Sequence, residues 1–376
     1  MNDSKKFWFN VLILLVVLVV SIYSIKLGTT DKSKLFFVHK QVPIDYKISQ
    51  MMVMGYVTQS DYRQVLKELA SDNISGVILY KRNISSAESL KLATDVMYRH
   101  SLRAKPFIML DQEGGGVSRI DTDNGFQNYP SAQRVSREYK QPKSAYNLYF
   151  TMAKELANVG INFNLAPCVD IKTSEYSRIG RSLRSYGDNA NVVTKYGREF
   201  VATHFINGLV PTLKHFPGIG NSHLDTHKTL PDITNSWKED ELLPFKNLIK
   251  EFPYVSVMVA HVYNKHLDSE NITSLSPKSL KLLKDYGHKG LVIMDAVDMS
   301  AIDNYDVEDV LVKAINSGVD LFIFPNHFKS PDMKYYMTAE NFHKLIKKSL
   351  SEGKITEEQI NKSYEKIMFI KEQFLQ

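Results

Sequence analysis

The sequence predicts a (β/α)8-type barrel in a single large domain, and three observations predict it. From about residue 43 onward, short apolar runs alternate with amphipathic helical stretches, the pattern of strands joined by helical crossovers into a parallel sheet. The strand-like runs are apolar throughout rather than alternating, as expected where both faces of a sheet are covered. Ionisable residues gather just after the strands, where barrels of this type place their working groups. The alternative is an open doubly wound sheet, which usually carries a glycine-rich phosphate turn after its first strand. Gly76-Val77-Ile78-Leu79-Tyr80 supplies no such turn.

In chain order, residues 7–25 come first and are nearly all apolar, broken by Asn10, Ser21, Tyr23 and Ser24. At about 1.5 Å per residue a helix of that length covers roughly the 30 Å hydrocarbon core of a bilayer. Lys5 and Lys6 precede it, and Trp8 and Tyr23 fall near its ends, where interfacial aromatics belong. A cleaved signal peptide is the competing reading, but the apolar region is long for one and no Ala-x-Ala site follows. No cysteine follows it either, which excludes a lipoprotein. The expectation is therefore a cytoplasmic tip and transmembrane anchor over residues 1–27, a linker over 28–42 and a barrel over 43–376. The barrel is expected outside the cytoplasm.

Strands are expected near residues 75–80, 106–110, 161–167, 209–213, 255–260, 291–294 and 320–324. Helices are expected near 87–100, 145–159, 191–207, 239–251 and 307–317. The ending, 338–376, is helical without a strand pattern, which leaves no room for a second α/β domain.

Composition narrows the function class. Of 376 residues, 43% are hydrophobic and 23% charged, ordinary globular values. The net charge of +6 is spread along the chain, without the basic stripe that nucleic-acid binding needs. Cys168 is the single cysteine, so no intramolecular disulfide forms; it reads as a buried, inert thiol at a strand end.

The densest chemistry lies between Leu213 and Pro231. An apolar strand runs into a loop that carries Lys214, His215, His223, Asp225 and His227. Packing gives no reason to collect so many ionisable groups, whereas a catalytic loop on a rigid scaffold does. Lys214-His215-Phe216-Pro217-Gly218-Ile219-Gly220, then Asp225-Thr226-His227, then Leu230-Pro231, resembles the signature of glycoside hydrolase family 3, in its β-N-acetylglucosaminidase branch. Two positions depart from it: Ile219 stands where the family usually has histidine, and Thr226 where it usually has serine.

The resemblance extends to other segments. Leu291-Val292-Ile293-Met294-Asp295-Ala296 ends an apolar run in an aspartate. Asp295 on its own is equally well read as a helix N-cap; by resemblance it is the nucleophile of a retaining glycosidase. Asp298, nearby, reads as a first-turn acid favourable to the helix dipole. No second strand-end glutamate presents itself as the acid. The resemblance implies instead that His227 is the general acid/base and that Asp225 orients and charges it, which suits an imidazole titrating near neutrality. The alternate spacing of His223, Asp225 and His227 also admits a metal site, but the family uses no metal and no cofactor.

Asp111-Gln112-Glu113-Gly114-Gly115-Gly116-Val117-Ser118-Arg119 resembles the family's sugar-binding turn, which implicates Asp111 and Arg119. The run lacks the Lys-Ser/Thr ending of a phosphate loop. Gly180-Arg181-Ser182-Leu183-Arg184-Ser185-Tyr186-Gly187 resembles a segment with a sugar-contacting arginine. Arg181 is the choice, although Arg184 fits a second register. Lys214 and His215 complete the set as donors to ring hydroxyls. His261 ends a strand, where it could line the pocket, but it reads more readily as a packed core histidine.

The resemblance implies a membrane-anchored, retaining exo-β-N-acetylglucosaminidase acting on oligosaccharide or muropeptide fragments of peptidoglycan or chitin type. Three alternatives stand beside it: a β-glucosidase-like specificity, a phosphorylase using phosphate in place of water, and a catalytically silent sugar-binding protein.

Overall fold

The computed structural model describes residues 42–220, 222, 229–297, 302, 305–326 and 336–375. The expected anchor at residues 7–25 lies outside them, and among the described residues no helix is long and apolar enough to cross a membrane.

Eight short parallel strands among the described residues close into a barrel in sequence order. They are β1 (Met52–Met54), β2 (Gly76–Ile78), β3 (Phe107–Leu110), β4 (Phe163–Asn164), β5 (Val210–Phe216), β6 (Ser256–Val259), β7 (Val292–Met294) and β8 (Leu321–Phe324). The ring closes where Val53 pairs with Ile323 on one side and Gly76 on the other. Every strand residue is buried, which is why the runs read as continuously apolar.

The helices are α1 (Ile44–Ser49), α2 (Gln59–Ala70), α3 (Ala87–His100), α4 (Ala132–Glu138), α5 (Tyr146–Asn158), α6 (Arg178–Arg181), α7 (Ala190–Ile206), α8 (Leu243–Glu251), α9 (Pro277–Asp285), α10 (Val307–Ser317), α11 (Ala339–Ser351) and α12 (Glu357–Phe374). Their ends follow local rules. Ser86 caps α3 by accepting from the Ser89 amide, and Asp306 caps α10 by accepting from the Glu308 amide. The α10 helix stops at Gly318, whose φ of 101° suits glycine.

Two differences from the sequence reading bear on the site. The first strand, β1, lies outside the expected runs: it has three residues and follows α1 after only two. The fifth strand runs on through Lys214 and His215 to Phe216, with a register shift against β6 between Leu213 and Phe216. Both side chains therefore stand on the strand, not on the loop.

At the opposite end of the barrel, Lys371 from α12 enters beneath the strands and is 5% exposed. It donates to Gln50 Oε1 at 2.7 Å and to the Ser75 carbonyl at 2.9 Å, and lies over the Phe107 ring. Burial pulls its pKa down to about 7 from the ordinary 10.5, only partly offset by Asp72. With the folded pKa below the unfolded one, the unfolded chain binds more protons between those values. Stability contributed here thus rises with pH over that window. Chemical denaturation midpoints are expected to climb between pH 7 and 10, and Lys371→Met is expected to flatten the climb. An equal slope in both proteins would assign the rise to other groups.

Candidate active site

The site is built at the carboxyl ends of the strands, beginning with the turn after β3. Asn164, the last residue of β4, brackets the Gln112 backbone: its Oδ1 accepts from the Gln112 amide at 3.0 Å and its Nδ2 donates to the Gln112 carbonyl at 3.1 Å. The buried Gln112 side chain reaches across the turn, accepting from the Arg119 and Ile120 amides and donating to the Ile120 carbonyl. Gly114 has a φ of 97° and sits so close to Pro130 that an added Cβ would lie 2.3 Å from its carbonyl oxygen. The chain therefore doubles back, and Arg119 Nη2 meets Asp111 Oδ2 at 2.9 Å.

Lys214, from the end of β5, reaches into this turn. Its Nζ lies 2.7 Å from Asp111 Oδ1 and 2.7 Å from Glu113 Oε1. Arg184 grips Glu113 from the other side in a two-pronged pair, Nε to Oε2 at 2.8 Å and Nη2 to Oε1 at 2.7 Å. The same Nη2 faces His215 Nε2 at 3.2 Å. A guanidinium only donates, so Nε2 accepts and the ring proton sits on Nδ1, which meets Asp170 Oδ2 at 2.8 Å. Asp170, fully buried, also accepts from the Ile219 amide and the Cys168 thiol. The result is a row of alternating charge: Arg119, Asp111, Lys214, Glu113, Arg184, and beyond His215 the carboxylate of Asp170.

The electrostatics follow from this row. Burial alone would raise the Asp111 carboxyl, but Lys214 and Arg119 hold it well below the ordinary carboxylate range. Glu113 is held down at about 2 by Arg184 and Lys214 against the same burial. Burial would lower Lys214, yet Asp111 and Glu113 raise it, so it stays charged. Burial and the neighbouring Asp170 push the Cys168 thiol well up, which keeps it protonated and inert. Fixed charges in a buried setting present hydroxyl groups with donors and acceptors that need no rearrangement. Arg119 and Asp111 are the more open members, at 23% and 15% side-chain exposure. The Nε–H of Arg119 has no partner among the described residues.

Asp295 directly follows β7 and is half-buried. Its amide donates to Val259 on β6 at 3.1 Å, and its Oδ1 accepts from the Ala296 amide at 2.8 Å.

The structure thus brings together Asp111, Arg119, Lys214 and His215 and sets Asp295 at the same end of the barrel. Arg181 stands exposed at the end of α6, and Arg184 enters the network. Asp225, His227 and His223 lie outside the described residues, as does Asp298. Glu113, Asp170, Gln112 and Asn164 carry the architecture, and the sequence pattern gives them no role. Only the placement of Glu113, two residues beyond Asp111, could have suggested one. Ile219 is buried in a small apolar group with Cys168, Ile179, Ile233, Ala260 and Val262, which gives the departure from the family pattern a packing role.

Cys168, Asp170 and His215 are the grouping among the described residues that could hold a metal ion, with donor atoms within 4.8 Å of one another. Those donors are engaged with each other, and the Arg184 cation abuts His215, which favours a hydrogen-bonded cluster over a metal centre.

Comparison with known proteins agrees with this geometry. The model of the glycosyl hydrolase family 3 N-terminal domain matches residues 43–370. Beta-hexosaminidase A of Pseudoalteromonas piscicida is 29% identical over 331 residues, covering 81% of this chain and 54% of that protein. The beta-hexosaminidase of Psychromonas ingrahamii is 30% identical over 285 residues, covering 73% and 81%. A family 3 β-N-acetylglucosaminidase from a Paenibacillus strain superposes with a TM-score of 0.78 at 26% identity, covering 89% of this chain and 63% of that one. This chain therefore spans little more than half of the Pseudoalteromonas protein and under two thirds of the Paenibacillus chain.

Proposed function

The chain belongs to glycosyl hydrolase family 3, and from that premise we propose that it is a retaining exo-β-N-acetylglucosaminidase. The observation that carries the reading is the charged row from Arg119 to Arg184, set at the strand ends of the same barrel face as Asp295. Relatives named beta-hexosaminidases and a β-N-acetylglucosaminidase of known structure support the sugar.

In this mechanism Asp111, Lys214, His215, Arg119 and Arg184 hold the hydroxyls of the terminal sugar. Asp295 attacks the anomeric carbon as the glycosidic bond breaks, and protonated His227, oriented by Asp225, gives its proton to the departing oxygen. The covalent glycosyl-enzyme is released when His227, now neutral, takes a proton from an attacking water and Asp295 leaves. The substrates are β-linked GlcNAc termini of peptidoglycan or chitin-type fragments, and residues 7–25 anchor the domain to a membrane with the barrel outside the cytoplasm.

The test uses the segment from about residue 41 onward with an aryl β-N-acetylglucosaminide beside the matching β-glucoside. Release from the first alone supports the reading; release from the glucoside alone overturns the sugar, and sugar 1-phosphate formed in phosphate buffer would reassign the reaction. His227→Ala is expected to slow turnover on the order of 10²–10⁴-fold for a poor leaving group, and far less for an acidic phenol, which needs no proton. Equal losses across a series of leaving groups would remove the acid role.

A further inference from the structure

We propose that His261 is a positioning residue that aims the Asp295 carboxylate through the peptide joining Asp295 to Ala296. This rests on the reading of Asp295 as nucleophile.

His261 follows β6 and is fully buried. Its Nε2 faces two carbonyl oxygens, that of Asp295 at 3.2 Å and that of Ala296 at 3.3 Å. Carbonyls only accept, so Nε2 carries the ring proton. Nδ1 is then the acceptor and takes its hydrogen from the Ser274 hydroxyl at 2.8 Å, also fully buried. The tautomer is thus set from both sides, as a fully buried ring with two polar nitrogens requires.

The Asp295 carbonyl belongs to the same peptide plane whose N–H, on Ala296, donates to Asp295 Oδ1 at 2.8 Å. A peptide is planar, so fixing its C=O fixes the direction of its N–H. Donation to the carbonyl also polarises the amide and strengthens its own donation. The chain of contacts runs from Ser274 through His261 and the peptide to Oδ1. On the other side the Asp295 amide is tied to Val259 on β6. Oδ1 is thereby occupied and oriented, which leaves Oδ2 as the oxygen that bonds to the sugar.

The experiment is a pair of comparisons on the full chain with an activated aryl β-N-acetylglucosaminide. In the otherwise native protein, His261→Leu is expected to lower kcat about 100-fold, as for a misplaced reacting group. KM should stay within about twofold. His261→Gln, whose amide can still donate to the two carbonyls, is expected to recover most of the loss. In Asp295→Ala, with azide as the external nucleophile, there is no carboxylate to aim, so adding His261→Leu is expected to change turnover less than about threefold. Should His261→Leu fail to fold, Ser274→Ala carries the same comparison, because it frees the ring tautomer. An equal loss in both backgrounds, or a loss expressed in KM, would make His261 a structural residue only. If Asp295→Ala stays active without azide, the nucleophile assignment itself falls, and the role of His261 with it.

Discussion

Asp295→Ala is expected to lower kcat/KM for aryl β-N-acetylglucosaminides by on the order of 10⁴-fold or more, with the fold intact. Asp295 is half-buried, and among the described residues its side chain accepts a single hydrogen bond, from Ala296. Truncation leaves that amide near solvent instead of stranding a buried charge, so the stability change should be within about 1 kcal/mol. The chemical loss is large because no other carboxylate among the described residues stands uncommitted at that strand end. Small anions should partly restore turnover, because the space vacated by the carboxylate admits azide on the same face of the sugar, giving a glycosyl azide of inverted configuration. Rates near those of the native protein, or rescue giving the retained product, would move the nucleophile to another residue.

Glu113→Gln is expected to have the largest effect on stability. Glu113 is 4% exposed and is the only carboxylate among the described residues that Arg184 grips. Removing its charge while keeping its shape leaves Arg184 buried without a counterion and Lys214 with one carboxylate in place of two. Breaking a buried ion pair from one side costs about 3–5 kcal/mol. The pH dependence adds a signature. Glu113 is held near 2 in the folded protein against an ordinary value of 4.5. Its contribution is therefore fully present above about pH 4.5 and is lost as pH falls towards 2. Urea midpoints of the native protein should fall over that window more steeply than those of Glu113→Gln. A second change, Arg184→Met, should return part of the stability lost by Glu113→Gln, since it removes the stranded charge. Failure of the double variant to recover would mean that the pair is not energetically coupled.

Much of this architecture is legible in the residues. The runs before Asp111 and Asp295 announce buried parallel strands because both faces are covered, and the caps at Ser86 and Asp306 fix helices to the residue. The first strand is not legible, because three residues of Met and Val after a short helix carry no period. Nor is the choice between Arg181 and Arg184. Three positions separate them, and the outcome depends on where α6 stops and on Leu183 adopting a φ of 58°, a turn that no pattern signals. The meeting of Lys214 with Glu113 requires residues 101 positions apart to converge, and only tertiary structure supplies that. The family resemblance supplied what periodicity could not, the order in which these groups belong to one site.

The row of charges has a consequence for how this barrel can change. Its members come from the segments after β3, after β4 and at the end of β5. None of these three segments is an independent module: exchanging any one for its counterpart from another barrel would strand a partner on the other two. They can be inherited or transplanted only as a block, whereas the turn after β7 is tied to a different neighbour, β6, through Val259 and His261. A designer recombining such barrels would find the crossover points that preserve function between those two blocks, not within either.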